Sequence, residues 1–145
     1  MNHWLLRVGD GQNFINSSDK KIWGIQSKTN NSFLNQIKKD RHILWFITNK
    51  SNGKILAMTE YKSHNKRELG ILINITQSNE ELGWSEYECD TEIHYNNLYN
   101  LKNCNLLTNL KGMRTIRKYE KEKIDLDLNE EYKNIVKYAN ITNNF

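Results

Sequence analysis

The chain alternates short apolar runs with polar segments, a pattern typical of several short strands. The clearest run is residues 42–48, where five consecutive apolar residues predict a buried, central strand. The Ser51-Asn52-Gly53-Lys54 segment predicts a tight turn, and residues 55–61 follow as the returning strand of a hairpin. Further strands are predicted at residues 3–8, 22–25, 69–75 and 84–95.

Helical spacing of apolar residues is confined to three segments. Short helices are predicted at residues 12–20 and around residues 33–37, and a longer one at residues 126–139, with Asn129 as a candidate cap. Residues 64–68 are polar and charged and separate two predicted strands. Strands with a C-terminal helix predict an α+β domain around a curved or closed sheet, which we expect to occupy residues 1–145 as one domain.

Residues 84–95 alternate cleanly between apolar and charged positions. One side carries Cys89 and Ile93, and the other carries Trp84 together with Glu86, Glu88, Asp90 and Glu92. The acidic side is expected to be a solvated stripe, because no histidine or loop ligand supports a metal site there. Trp84 stands on this solvated side, where a core tryptophan is not expected.

Length and cysteine usage limit the class of protein. The 145 residues suffice for one core, and no run of 18 apolar residues predicts a transmembrane helix. The N-terminal residues lack the pattern of a secretory signal, so an intracellular location is expected. Cys89 and Cys104 have no zinc-ligand spacing and are interpreted as reduced thiols, so neither metal nor cofactor is predicted.

Charge is distributed unevenly along the chain. Residues 1–78 carry 12 Lys/Arg and 5 Asp/Glu, whereas residues 79–95 carry 6 acids and no Lys/Arg. A basic first half suits a polyanion on one face, although a lysine-rich solvated surface explains the same numbers.

No catalytic motif is present. The chain lacks a Gly-x-Ser-x-Gly elbow, a phosphate loop and a His-Glu-x-x-His pair, and its two cysteines have no evident partner. The four histidines, His3, His42, His64 and His94, are expected at unrelated positions. A small ribonuclease can nevertheless use one His, one Tyr and one Lys, so this alternative stays open.

The order of motifs in the first half resembles the opening of EVE and YTH domains of the PUA-like superfamily. The residues that carry the resemblance are the strand Trp4 to Val8, a glycine turn, Asn13-Phe14 and, ten residues after Asn13, Trp23-Gly24. Later segments, including Leu82-Gly83-Trp84, are similar to the family's following strands. The segment from Gly112 to Tyr132 is closer to small stand-alone EVE proteins, and residues 62–80 match poorly.

The resemblance implies a PUA-like fold, a small β-barrel of five or six strands surrounded by helices. It also implies a non-enzymatic reader that holds one base, often a modified one, in an aromatic pocket of a nucleic acid, RNA in preference to DNA. We expect no membrane partner, and a monomer or weak dimer. The alternative is a ribonuclease or small amidohydrolase of the neighbouring ASCH branch, for which Tyr61, Lys62, Tyr95 or Arg114 would be tested.

The expected base pocket follows from the same comparison. We predict a partly exposed Trp23 as its stacking wall, because base–aromatic stacking contributes roughly 1–3 kcal/mol; the alternative is a core tryptophan. Trp4 and Trp45 are predicted to be core residues. Asn13 is either a base-edge contact or a helix cap, and the loop at Gly9 either a base contact or a simple turn. The predicted pocket comprises Trp23, Gly24, Asn13, Gly9, Asp10, Leu82, Trp84 and Asn35.

Six basic side chains are candidate phosphate contacts. For any one of them, a position on the solvated surface is the favoured explanation. They are Arg7, Lys20, Lys21, Lys28, Arg114 and Arg117.

Overall fold

The protein is described from a computed structural model. It describes residues 1–9, 11–38, 40–48, 53–66, 90–101, 116–124 and 126–143, with side chains as far as residue 139. The predicted strand at residues 69–75, the first part of the strand predicted at 84–95, and both cysteines lie outside these residues.

Six strands in the described residues form one mixed sheet, curled into a half-barrel, in the order β2-β5-β4-β3-β1-β6. Strand β1 pairs with β3 in parallel, and the other neighbours are antiparallel. This confirms the predicted α+β class. The strands are β1 Asn2–Arg7, β2 Ile22–Ile25, β3 His42–Ile47, β4 Ile55–Lys66, β5 Thr91–Asn100 and β6 Ile116–Lys118.

Three helices accompany the sheet in the described residues: α1 Gln12–Ser18, α2 Asn31–Gln36 and α3 Leu128–Asn143. The predicted Asn129 cap of α3 is wrong. Asp127 Oδ1 instead accepts the backbone N–H groups of Asn129 and Glu130 at 3.1 and 3.3 Å. The helices within the described residues are too short or too polar to cross a membrane.

The sheet is apolar on both faces, and the parity of each strand divides the core in two. The face towards α1 and α2, here the α1/α2 face, carries Trp4, Leu6, Trp23, Leu44, Phe46, Ala57, Ile93 and Tyr95, packed on Phe14 and Phe33. The opposite face, here the α3 face, carries Leu5, Ile43, Trp45, Ile47, Ile55 and Met58, packed on Leu128 and Tyr132. The expected core positions of Trp4 and Trp45 are confirmed at 2% and 0% exposure.

Pairing extends two strands beyond their predicted ends. Strand β4 continues through polar residues to Lys66, because these pair with β5 as far as Lys66 opposite Thr91. The predicted alternation of β5 holds from Thr91 to Tyr95 and is then broken near Asn97, whose φ of 53° marks a bulge. Cross-strand hydrogen bonds thus outweigh the polar composition of both segments.

Candidate functional site

Four aromatic side chains, Phe14, Trp23, Phe46 and Tyr95, form a cluster on the α1/α2 face, here the aromatic cluster. Phe14 stacks on Phe46 with ring centroids 4.4 Å apart, and Trp23 meets both rings edge-on at 6.2 and 6.1 Å. Tyr95 lies 5.4 Å from Phe46 on the neighbouring part of the cluster. The sequence places Trp23 here because β2 pairs with β5, which sets Trp23 opposite Ile93 on the buried parity.

The predicted partial exposure of Trp23 is wrong, because its ring is only 5% exposed. The described side chains cover it, since α1 presses Phe14 against its edge. The indole Nε1 of Trp23 and the hydroxyl of Tyr95 are buried without a hydrogen-bond partner among the described residues. A buried polar atom that lacks a partner costs about 1–3 kcal/mol and calls for an explanation.

Asn13 stands in the first turn of α1, one residue before Phe14. Its side chain is buried at 3% exposure, and it has interactions of its own. The alternative that Asn13 caps the helix is wrong, because Gly11 occupies the cap position with a φ of 93°. Only glycine fits there, since a Cβ would lie 2.8 Å from Leu56 Cδ1. Asn13 therefore enters the core beside the aromatic cluster.

Of the other six predicted pocket residues, three lie within the described residues and three do not. Gly24 follows Trp23 in β2 and is half-buried, and Gly9 has a left-handed φ of 59° with open space around it. Asn35 is exposed on α2, whose buried Phe33 packs on Trp4 at 4.9 Å rather than on Trp23. The other three predicted pocket residues, Asp10, Leu82 and Trp84, lie outside the described residues.

The candidate phosphate contacts in the described residues fall into two groups near opposite ends of the strand order. Lys20, Lys21 and Lys28 flank β2 and are exposed. Arg7 and Arg117 are half-buried on β1 and β6, at the other end of the strand order. Arg114 lies outside the described residues. The two groups therefore lie on strands that do not pair with each other.

A recess opens at the start of β3, beside α2. It is a cleft of about 450 Å³ lined by His42, Tyr61 and His64, together with Lys38, Arg41 and Lys62, and is here called the histidine cleft. Tyr61 OH lies 2.6 Å from His64 Nδ1, and the Tyr61 ring meets the His42 ring edge-on at 6.2 Å. The expectation that the histidines occupy unrelated positions is therefore wrong for His42 and His64.

Two of the residues named for the enzymatic alternative are neighbours, since Tyr61 pairs with Tyr95 across β4 and β5. Tyr61 and Lys62 line the histidine cleft, whereas Tyr95 belongs to the aromatic cluster. Burial raises the pKa of Tyr95 well above that of a free phenol, so its hydroxyl stays protonated at neutral pH. Arg114 lies outside the described residues.

The acidic stripe is visible at two of its four predicted positions. Asp90 accepts hydrogen bonds from the backbone and hydroxyl of Ser27 at 2.8 and 2.6 Å, and Glu92 lies 3.2 Å from His94. Burial alone would raise the pKa of Asp90, but the Ser27 hydrogen bonds hold it below its usual value. Within the described residues no group of three metal-ligating side chains converges.

The unsatisfied polar atoms share one side of the sheet. In the described part of the chain four buried side-chain atoms have no hydrogen-bond partner: Trp23 Nε1, His42 Nε2, Thr59 Oγ1 and Tyr95 OH. Trp23 and Tyr95 belong to the α1/α2 core, His42 is bonded to Trp4 there, and Thr59 follows Ala57 at the same strand parity. His42, Thr59 and Tyr95 lie on the adjacent strands β3, β4 and β5. Tyr95 pairs with Tyr61 on β4, and Ile43, next to His42, pairs with Glu60, next to Tyr61.

Solved structures share this architecture. The YTH domain of Mmi1 in a complex with RNA has a TM-score of 0.58 at 12% identity, covering 98% of this chain and 81% of that one. The chain has a YTH-like fold. A second Mmi1 YTH structure gives 0.58 at 13% identity over 97% and 78% of the two chains, and a third gives 0.50 at 15% over 74% and 69%. No protein-family model and no curated protein matches the sequence.

Sequence reasoning located the Trp23 region but missed the histidine cleft. The cleft forms because β3 and β4 bring His42 level with Tyr61, and Tyr61 precedes His64 by three residues. A Tyr-x-x-His run at the polar end of a strand was the available signal. It gained meaning only once β4 was seen to continue to Lys66.

Proposed function

We propose that this protein is an RNA-binding reader domain that takes a single, modified base into the aromatic cluster. The observation that carries the proposal is a pair of buried polar groups, Trp23 Nε1 and Tyr95 OH, that have no hydrogen-bond partner among the described residues. A base needs aromatic faces to stack on and hydrogen-bonding groups for its edge, and the aromatic cluster contains both. The likeness of fold to a YTH domain solved with RNA supports RNA as the nucleic acid.

The buried position of Trp23 sets a condition on this mechanism. Since its ring is 5% exposed, a base can stack on it only when neighbouring side chains move apart. Opening separates Phe14 from Trp23 and lowers the apparent affinity by the fraction of molecules that are open. In exchange, the incoming base supplies partners to two polar atoms that are unsatisfied in the closed cluster.

The modification is the finer part of the proposal. A methyl group on the base would be enclosed by aromatic walls, and each Å² of apolar surface removed from water contributes about 25 cal/mol. The bound base therefore gains from modification without a new hydrogen bond. The basic residues beside β2, Lys20 and Lys21, would contact backbone phosphates without reading sequence.

Binding titrations with matched single-stranded RNAs, one carrying a methylated base, test this function. Trp23→Leu removes the stacking surface and should weaken the preferred RNA by about 1–3 kcal/mol, or roughly 5- to 150-fold. Lys20→Gln with Lys21→Gln should weaken all RNAs alike and reduce the dependence on salt. The same incubations should leave the RNA intact, whereas cleavage would support the ribonuclease alternative.

Folding of each variant is checked by cooperative thermal unfolding. A folded Trp23→Leu protein that binds both RNAs like the wild type would exclude the base-binding role of the aromatic cluster. Failure of the wild-type protein to bind any of the RNAs would exclude the proposed function as a whole.

A further inference from the structure

His42 holds a hydrogen-bond donor that the described residues leave unused. Trp4 Nε1 donates to His42 Nδ1 at 3.0 Å, so Nδ1 is an acceptor and a neutral imidazole must carry its proton on Nε2. Burial lowers the pKa of His42, which favours this neutral form. The residue is 2% exposed, yet Nε2 has no acceptor in the described part of the protein.

His3 is the matched case on the α3 face. Its Nδ1 likewise accepts an indole N–H, from Trp45 at 2.9 Å, and its Nε2 therefore also carries the proton. That Nε2 lies 2.9 Å from Asn129 Oδ1, which accepts it. The two histidines thus have the same tautomer, similar burial and one indole donor each. They differ in that only the Nε2 of His3 has an acceptor among the described residues.

His42 is also one of the residues that line a cleft whose size and charge suit an anionic ligand. About 450 Å³ lies within the range of small-molecule sites, roughly 300–1,000 Å³. Lys38, Arg41 and Lys62 line the cleft against one carboxylate, Asp40. Arg41 is bound to Glu60, whereas Lys38 and Lys62 are exposed and bond to no carboxylate among the described residues.

We propose that the histidine cleft binds a phosphate group carried by a nucleotide. His42 Nε2–H is the buried donor, Lys38 and Lys62 supply the charge, and the ring of Tyr61 offers a surface for the attached nucleoside. None of these residues belongs to the phosphate contacts expected from the sequence. The inference rests on the proposed function in one respect, that the nucleotide is a unit of the bound RNA.

The placement of the two sites suits a single strand. Trp23 in β2 and His42 in β3 lie on the same face with two strands between them, and three strand spacings correspond to about 14 Å across the sheet. A bound RNA can therefore place one base at the aromatic cluster and a neighbouring phosphate in the histidine cleft. Tyr95 and Tyr61 occupy the strands between them.

Imidazole ¹⁵N NMR on the intact protein tests the site directly. Inorganic phosphate, adenosine 5′-monophosphate and a short single-stranded RNA are titrated separately, while the Nε2–H resonances of His42 and His3 are followed. The His42 resonance should shift and saturate, and the His3 resonance should not move. Lys38→Gln with Lys62→Gln should weaken the saturation about tenfold at low salt, whereas Lys133→Gln with Lys137→Gln on α3 should not.

The three probes separate the sources of the phosphate. Saturation by RNA at much lower concentration than by the mononucleotide assigns the site to bound RNA, and equal saturation assigns it to a free nucleotide. If no probe moves the His42 resonance, or if His3 moves equally, the inference is overturned. If RNA binding depends on Trp23 but the His42 resonance does not move, this inference alone is overturned. If the His42 resonance responds to the mononucleotide but the protein binds no RNA, only the proposed function is overturned.

Discussion

The two faces of the sheet are built from the same residue types but treat their polar atoms differently. On the α3 face, His3, Trp45 and Tyr132 have hydrogen-bond partners for their buried polar atoms. On the α1/α2 face, all four unpartnered buried polar atoms of the described residues are found. A fully satisfied face contributes to stability, whereas a face with unpaired buried polar groups contributes less.

On the α3 face, charged side chains as well as neutral polar groups have hydrogen-bond partners. Arg41 bonds to Glu60 and to Tyr132 OH, which in turn donates to Glu60 at 3.2 Å. Burial tends to raise the pKa of Glu60, but the hydrogen bond and charge of Arg41 hold it below its ordinary value. The carboxylate is therefore ionised at neutral pH, and helix α3 is tied to β4 through Tyr132.

The largest expected contrast is between two tryptophan substitutions. Trp45→Phe leaves His3 Nδ1 buried without its donor, whereas Trp23→Phe removes an indole N–H that has no partner. The two changes delete the same ring volume, so Trp45→Phe should cost about 1–3 kcal/mol more in the free energy of unfolding. Urea unfolding of both variants measures the difference. Equal costs would contradict the division between the faces.

Both buried histidines should contribute to the pH dependence of the free energy of unfolding. Burial lowers the pKa of His3 and of His42, although the hydrogen bond that His3 donates to Asn129 and the charge of Asp40 act in the opposite direction on His3 and His42 respectively. The folded protein then binds fewer protons than the unfolded chain, so stability is constant above about pH 6.5 and falls below it. Each histidine contributes at most about 1.4 kcal/mol per pH unit.

Urea unfolding between about pH 7.5 and pH 5 measures this slope. Lys38 and Lys62 line the cleft with His42, and the positive charge of Lys118 lowers the pKa of His42 in the same direction as burial. Stability that does not change across this range would show that neither histidine is held neutral in the fold.

The smallest expected effect compares two tyrosine hydroxyls. Tyr132→Phe removes a hydroxyl bonded to Arg41 and Glu60 and should cost about 1 kcal/mol of stability. Tyr95→Phe removes a buried hydroxyl without a partner and should leave stability unchanged or slightly higher. Thermal unfolding compares the two, and RNA titration of Tyr95→Phe shows whether its hydroxyl contacts the base. A Tyr95→Phe protein as destabilised as Tyr132→Phe would mean that the hydroxyl has a partner.

Much of the fold was readable from local patterns. Strand β3 was predicted because its apolar run permits no solvated face, and Trp45 accordingly has 0% exposure. Strand β2 was placed at its observed bounds by four residues bracketed by polar segments. The extension of β4 and the short β6 escaped prediction, because both depend on hydrogen bonds to strands distant in sequence.

The candidate site was predicted less completely than the fold. Motif order singled out Trp23 and Asn13, and both lie at the α1/α2 face as buried residues. Their exposure could not be predicted, because it depends on where α1 sets Phe14. The phosphate candidates show the same limit, since the strand order places Arg7 on β1 and Lys20 beside β2, near opposite ends of the sheet.

The sequence by itself determined which residues are apolar, which segments are extended and where a tryptophan is followed by a glycine within a short strand. Only the tertiary structure decided which buried polar atoms find partners. His3 and His42 illustrate the reason: each accepts an indole N–H from the neighbouring strand, but the α3 helix brings Asn129 to one of them alone. A hydrogen bond between residues 126 positions apart depends on how a helix packs, and no local pattern encodes that.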